Sequence, residues 1–226
     1  MKKTKKMKEM EKILSGKGEI FSIEEAVEIL EKFPKAKFDE SVEVHVKTAI
    51  DPKKSDQQIR GALSLPAGIG KTVRVAAFTS IGQKEAKEAG ADLVGGEELI
   101  DEIKTSGKID FDVAVATPEM MPKLAKIAKL LGPRGLMPNP KSQTVGPKVG
   151  LLVAELKKGK LSFKSDDSGN IHLIIGKRSF EKEKLAENLK VFLDELKKMK
   201  PESVKGTFIQ SVTICGTMTQ AIKVKF

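Results

Sequence analysis

The chain contains one cysteine, no tryptophan and no tyrosine among its 226 residues. Cys215 cannot form a disulfide within the chain, so we expect a reducing, cytosolic setting. The two histidines, His45 and His172, lie far apart in sequence, and we expect neither a metal site nor a cofactor. With phenylalanine as the only large aromatic, little material exists for a platform that stacks single-stranded bases. Folded RNA, recognised by shape and backbone, fits this composition better.

Long apolar runs are also absent. No stretch approaches the roughly 20 apolar residues of a membrane-spanning helix, and the lysines at 2–8 are not followed by the apolar core of a secretion signal. We therefore expect a cytoplasmic protein with no membrane partner. Positive charge is abundant, with 41 Lys and Arg against 31 Asp and Glu and a net charge of +10. Such a charge favours a polyanionic partner, above all nucleic acid.

The positive charge is unevenly distributed along the chain. The net charge is +2 over residues 1–67, +1 over 68–156 and +7 over 157–226. If the partner is nucleic acid, the nearly neutral middle segment is not expected to be the main binder.

The N-terminal part predicts a helix followed by a strand. Ser22–Glu25 has the pattern of a capping box, which predicts a helix through about Phe33. Over residues 41–47 valines alternate with polar residues, the period of a strand with one buried and one solvated face. The solvated face would show Ser41, Glu43, His45 and Lys47.

The C-terminal part returns to this mixed style. Apolar segments at 161–164 and 170–175 resemble a hairpin around the turn Asp166–Gly169. An amphipathic helix and two strands are expected after it, over 180–199, 207–215 and 221–226.

Between these ends, short apolar runs alternate with helical segments. The runs at 73–78, 91–94 and 112–116 predict a parallel sheet with helices on both faces. Thr117 precedes Pro118 and is expected to cap the helix that follows the third strand.

We therefore predict an α+β domain built from both chain ends, residues 1–67 and 158–226, with an inserted Rossmann-like α/β domain at 68–157. Gly68, Gly70 and Gly159 lie where the chain would cross between domains and are candidate hinge residues. One compact domain with ordinary glycine turns remains the alternative.

Two other function classes have weaker support. Gly70-Lys71-Thr72 resembles the end of a phosphate-binding loop, but Leu65 stands at the first glycine position and the segment leads into a strand. A nucleotide-binding enzyme on the inserted domain is therefore disfavoured. Cys215 is expected to be a small buried hydrophobe and not a nucleophile. A basic protein-interaction module is the second alternative, and it would bind without strong dependence on salt.

The most distinctive segment is residues 132–141, in which three prolines and two glycines predict a rigid irregular stretch. This stretch resembles the signature of the large-subunit ribosomal protein L-one family, the protein of the mobile stalk beside the tRNA exit site. Further segments are similar to that family in the same order, namely 38–45, 50–52, 55–61, 89–92, 95–96 and 217–218. The resemblance covers essentially the whole chain.

The resemblance implies a non-enzymatic, two-domain protein that is monomeric off the ribosome. Its α+β domain, built from both chain ends, would bind folded large-subunit ribosomal RNA. It also implies two further roles: assisting release of exit-site tRNA and repressing translation of the protein's own mRNA. The 132–141 stretch would be a structural or inter-domain element in this family.

The resemblance places RNA contacts at Phe38, Ser41, Thr217 and Met218, with Asp166, Ser168 and Gly169 in a turn beside them. We assign His45, Ser211 and Thr219 to the same predicted surface. Thr219 stands where the family has glycine, so its Cβ is expected to shift the RNA backbone slightly. From the residues alone, Phe38 and Met218 could instead be core anchors.

Overall fold

The computed structural model describes residues 4–15, 18–54 and 56–226, so Lys2, Lys3 and Ser55 lie outside it. Two compact units are present: one runs to Gly70 and resumes at Phe163, and the other is Lys71–Ser162. These bounds differ by a few residues from the predicted 67 and 158. They also move Lys158 and Lys160 into the inserted unit, which changes the net charges from +8 and +2 for the predicted domains to +6 and +4. Net charge alone therefore does not identify the terminal unit as the one that binds nucleic acid.

The helices and strands fall into three successive parts of the chain. The first part contains α1 (Lys5–Leu14), α2 (Ile23–Lys32), β1 (Ser41–Thr48) and β2 (Arg60–Ser64). The middle contains β3 (Val75–Phe78), α3 (Gln83–Glu88), β4 (Leu93–Gly95), α4 (Glu97–Ser106), β5 (Val113–Ala116), α5 (Met121–Leu124), α6 (Ala128–Leu131) and α7 (Val149–Lys157). The last part contains β6 (Lys160–Lys164), β7 (Asn170–Lys177), α8 (Lys182–Lys198), β8 (Ile209–Gly216) and β9 (Ile222–Val224).

The terminal unit is built on an antiparallel sheet of order β7-β1-β8-β9. Its inner face packs against α2 and α8, and the β1 valines at 42, 44 and 46 are fully buried there, as the alternation predicts. Burial of this apolar face beneath two helices stabilises the sheet. The outer face, with the remaining side chains of each strand, is left to solvent.

Both helices on this sheet begin and run as the sequence predicts. The Ser22 hydroxyl accepts from the Glu25 amide at 3.3 Å, while the Glu25 carboxylate accepts from the Ser22 amide at 2.9 Å. The predicted capping box is confirmed. α8 begins and ends within two residues of its expected bounds. It buries Leu185, Leu189 and Phe192 at helical spacing.

The predicted hairpin over 161–175 is wrong. β6 pairs with β2 and β7 pairs with β1, and an isolated bridge between Ser165 and Ile171 joins the two segments. The reason is a contact between distant segments: the Ser165 amide donates to the Ile59 carbonyl at 2.9 Å, and its hydroxyl accepts from the Ile59 amide at 3.2 Å. These bonds direct the chain before the turn toward β2, so the turn joins two different sheets.

The inserted unit has the predicted parallel sheet, in the order β4-β3-β5. Phe78 and Phe111 meet edge to face in its core, with ring centroids 6.0 Å apart. Pro118 occupies the expected first position of a 3-10 turn, but the Thr117 hydroxyl makes no cap bond, so that part of the prediction is wrong. The 132–141 stretch is irregular except for a 3-10 turn that begins at Pro140, as expected.

Candidate nucleic-acid interface

The outer face of the four-stranded sheet brings predicted site residues together from distant parts of the chain. In the register of the strands, His45 lies opposite His172 and Thr213, and Lys47 lies opposite Ser211. His45 and Ser211 are therefore on one surface, as expected. The surface consists of Ser41, Glu43, His45, Lys47, Asn170, His172, Ile174, Lys177, Ser211, Thr213, Cys215 and Lys223; we call it the outer face.

At one end of the outer face, Ser41 and Thr217 are joined directly. The Ser41 amide donates to the Thr217 hydroxyl at 3.2 Å, and the Thr217 amide donates to the Ser41 carbonyl at 3.1 Å. Lys177 donates to the Ser41 hydroxyl at 2.9 Å. Residues that lie 176 positions apart therefore form one rigid group with a cation.

Two large apolar side chains project beside this group. Met218, in the turn between β8 and β9, is 66% exposed, and Phe38, just before β1, is 55% exposed. The alternative that these residues are core anchors is wrong for both. Exposed flat or flexible apolar groups next to fixed polar groups can pack on a ribose or a base. We call Phe38, Ser41, Thr217 and Met218 the end cluster.

Thr219 also holds the turn between β8 and β9 together. Its hydroxyl accepts from the Gly216 amide at 2.6 Å, and its side chain is half-buried. Thr219 therefore closes the turn that presents Thr217 and Met218.

The turn Asp166–Gly169 is at the other end of β1 from the end cluster. Lys47 donates to the Ser168 carbonyl at 2.6 Å, and Thr48 donates its hydroxyl to the Gly169 carbonyl at 2.6 Å. At about 3.3 Å per residue, roughly 20 Å of strand separate this turn from Ser41. The predicted site residues thus lie along one face but do not form one cluster.

This turn has its conformation fixed by two residues. Gly169 has φ of +76°, and a Cβ there would lie 3.2 Å from the Ile50 carbonyl oxygen, so no other residue fits without strain. The Asp166 carboxylate accepts from the amides of Ser168 at 2.9 Å and Asn170 at 2.7 Å. Burial acts to raise the pKa of Asp166, but the hydrogen bonds from Asn170, Ser168 and His172 outweigh it and lower that pKa to about 2.

Replacing Asp166 with alanine is expected to cost about 1 kcal/mol of unfolding free energy at neutral pH, because two amides lose their acceptor. The folded-state pKa of Asp166 is depressed. Its contribution is therefore complete above the unfolded-state pKa of about 4 and is lost as the pH falls toward about 2. Urea unfolding of both proteins between pH 2 and pH 7 measures this difference. A difference that is constant over the whole range would contradict the assigned role.

The centre of the outer face contains both histidines. His172 was not among the predicted site residues. The two Nδ1 atoms are 2.7 Å apart, so one ring donates and the other accepts. His45 Nε2 lies 3.1 Å from the Cys215 sulfur. Cys215 is half-buried on the outer face, which corrects the expectation of a core residue. The strand alternation from Val212 onward would have indicated this side of the sheet.

Electrostatics do not favour nucleophilic chemistry at this cysteine. Burial raises the pKa of the Cys215 thiol, and the Glu43 carboxylate adds to the effect. Burial also lowers the pKa of His45, and His172 adds to that shift. Both groups are held in their neutral forms, whereas an activated cysteine requires a thiolate beside a cation. Among the described residues, no group of three or more His, Cys, Asp and Glu side chains could hold a metal ion.

The candidate hinge glycines all have positive φ, at +66° for Gly68, +67° for Gly70 and +99° for Gly159. A Cβ at Gly70 would lie 2.8 Å from the Phe180 ring, so the backbone there is closely packed. Gly70 leads into β3 without a helix, unlike a phosphate-binding loop.

In the described ranges, no helix is long and apolar enough to cross a membrane.

Comparison with known proteins gives consistent matches along almost the whole chain. The model of the ribosomal protein L1p/L10e family matches residues 30–220. Large ribosomal subunit protein uL1 of Mycoplasma capricolum is 52% identical over 210 residues, 93% of each chain. The protein of the same name from Thermosipho melanesiensis is 50% identical over 225 residues, 99% of this chain and 96% of that one. The Mesoplasma florum protein is 51% identical over 98% of this chain and 97% of its own.

Proposed function

Since this chain belongs to the ribosomal protein L1p/L10e family, whose members are structural ribosomal proteins and not enzymes, we propose that it binds folded large-subunit ribosomal RNA through the outer face and the end cluster. The family expected from the sequence is thereby confirmed. The proposal assigns the RNA contact to the terminal unit.

The observation that supports this surface best is the direct bonding between Ser41 and Thr217. It fixes two exposed segments next to each other before any ligand arrives, and Met218 and Phe38 are exposed beside them. A preorganised surface avoids the entropic cost of ordering loops on binding. Folded RNA is recognised in this way, by shape, backbone and a few placed groups.

Lysines on and beside this surface provide contacts for phosphates. Lys47, Lys177 and Lys223 belong to the outer face, and Lys35 and Lys37, just before Phe38, are exposed. Lys47 and Lys177 also bond to protein oxygens, so their ammonium groups are held in place. Fixed cations orient an RNA backbone, while the uncharged groups of the end cluster discriminate between RNA shapes.

The finer roles follow from the family resemblance. The proposal includes assistance to exit-site tRNA release, repression of the protein's own mRNA through an RNA fold similar to the ribosomal one, and a monomer off the ribosome in the cytoplasm. Gly68, Gly70 and Gly159 are proposed as hinges that absorb rotation between the units. A translational reporter carrying the leader of the protein's own mRNA tests repression: the wild-type chain should lower expression and Met218→Ala should not.

Binding to stalk ribosomal RNA is expected to depend strongly on salt. Five lysines lie on or beside the proposed surface: Lys35, Lys37, Lys47, Lys177 and Lys223. If each of them neutralises one phosphate, log K should fall with log[salt] at a slope of roughly −4 to −5. Lys37→Gln should reduce the steepness by about 1, because one released counterion is lost. Lys129→Gln, which removes an equal charge from an exposed position of the inserted unit, is the matched control and should leave the slope unchanged. A slope near zero for the wild-type chain would favour a protein-interaction module.

A further inference from the structure

The end of β7 contains a bulge that determines to which side of the sheet each of two neighbouring cations points. Val42 pairs with Gly176 while Glu43 pairs with Ile174, so Ile175 has no partner residue on β1. A bulge inserts one residue and reverses the side on which the following side chains point. Lys177 therefore lies on the outer face, and the next residue, Arg178, extends toward the helical side.

The Arg178 side chain is 6% exposed and ties the end of α2 to the start of β1. Its guanidinium donates to the Leu30 carbonyl at 2.9 Å and to the Phe33 carbonyl, both near the C-terminus of α2, where few helical N–H groups remain for the carbonyls. The same group forms an ion pair with Glu40, whose side chain is 1% exposed. Its planar fork allows it to bond these separate oxygens at once.

A second set of bonds holds the residue between these anchors and β1. The Asp39 carboxylate accepts from the Ser179 amide at 3.2 Å and from the Ser179 hydroxyl at 2.9 Å. Lys177 donates to the Asp39 carbonyl at 3.3 Å. The segment 33–40 is thus fixed at Phe33 by Arg178 and at 39–40 by three successive residues of the segment 177–179.

Phe38 is the large exposed side chain within this fixed segment. Its backbone lies directly before Asp39 and five residues after Phe33, so its direction is set by the bonds at both ends. A buried ion pair is rarely the most stabilising choice, since apolar residues of similar volume often serve as well. The Glu40–Arg178 pair leaves Glu40 Oε1 and Arg178 Nε without a partner among the described residues. The ion pair is therefore better explained by its effect on the position of the segment 33–40 than by a gain in folding stability.

We propose that Arg178 is a positioning residue for RNA binding: together with Glu40, it holds the segment 33–40 so that Phe38 meets the RNA in a fixed orientation. This inference rests on the proposed RNA-binding function and adds a residue that does not itself touch RNA. Lysine cannot replace the fork of Arg178, because an ammonium group is a single point charge that cannot span oxygens on α2 and Glu40 together.

A double-mutant cycle tests the inference in the full chain, with a fragment of stalk ribosomal RNA as the probe. Arg178→Lys preserves charge and is expected to weaken binding about 10-fold, comparable to the loss of one charge-assisted hydrogen bond. In the Phe38→Ala background the same change should cost less than about 2-fold, because the positioned side chain is gone. Lys223→Gln, on β9 at the other edge of the sheet, is the control background, in which the 10-fold effect should persist.

The possible results distinguish the positioning role of Arg178 from the proposed RNA-binding surface. If Phe38→Ala weakens binding but Arg178→Lys costs the same in both backgrounds, the positioning role is overturned and the RNA surface stands. If Phe38→Ala and Lys223→Gln both bind RNA as the wild type does, the proposed surface and the inference fail together. A general loss of folding would appear as equal effects in all backgrounds with a lowered Tm.

Should Arg178→Lys fail to show cooperative unfolding, Ser179→Ala replaces it in the cycle. Ser179 is exposed, and the change removes only the hydroxyl that donates to Asp39. We expect about 3-fold weaker binding in the wild-type background and no effect in Phe38→Ala. An equal effect in both backgrounds would overturn the proposal by this second route.

Discussion

Met218→Ala is expected to weaken binding of stalk ribosomal RNA by roughly 5- to 150-fold, or about 1 to 3 kcal/mol, without changing the slope of affinity against salt. Met218 is 66% exposed in the free protein, so its truncation removes little packing there. Against RNA the side chain would be buried, and the loss of that burial appears only in the complex. No charge changes, so electrostatic attraction is untouched.

Two comparisons make this result specific. Leu151→Ala removes another large side chain, 61% exposed in α7 of the inserted unit, and should leave RNA affinity unchanged. Thr217→Val keeps the shape of the residue but removes the hydroxyl bonded to the Ser41 amide, and it should also weaken binding by about 5-fold or more. Wild-type affinity in folded Met218→Ala and Thr217→Val variants would remove the end cluster from the RNA site.

Elements with a regular period could be predicted from the sequence. The valines of β1 alternate with polar residues, and this alternation correctly placed Ser41 and His45 on one solvated face. The Ser22 capping box and the alternation of strand and helix in the inserted unit are likewise local signals. The family resemblance added Thr217 and Met218, which no period would have indicated, and the structure places both at the exposed end of the sheet.

Features that depend on pairing between distant segments could not be predicted. The turn at Asp166–Gly169 was correct, but whether it joined two strands of one sheet depended on Ile59. Its position at the far end of β1 followed from a register that the sequence does not show. A bulge decides that Lys177, and not Arg178, faces the outer side, and single-strand alternation carries no signal for an extra residue.

Charge was the least reliable guide. Counted over the predicted segments, almost the whole net charge belonged to the chain ends. With the observed bounds, the units carry +6 and +4, so simple attraction would allow either unit to bind RNA. The assignment of RNA binding to the terminal unit therefore depends on the fixed groups of the outer face. Separating the units distinguishes fixed-surface recognition from simple electrostatic attraction.

The terminal unit alone is expected to retain specific RNA binding, and the inserted unit alone to lose it. In one variant, residues 1–70 are joined by a short Gly-Ser linker to 158–226, which keeps all of β6 and every residue of the outer face. Residues 71–157 form the second variant. Both remain positively charged, so both should bind RNA weakly and without discrimination through charge alone.

The decisive measurement is competition for stalk ribosomal RNA by an unrelated hairpin of equal length, at fixed salt, after circular dichroism has shown that each variant is folded. We expect the terminal variant to bind stalk RNA within about 3-fold of the full chain and to prefer it over the hairpin by about 100-fold or more. The inserted unit should show no preference for either RNA. A folded terminal variant that binds both RNAs equally, or an inserted unit that discriminates between them, would contradict RNA recognition by the terminal unit.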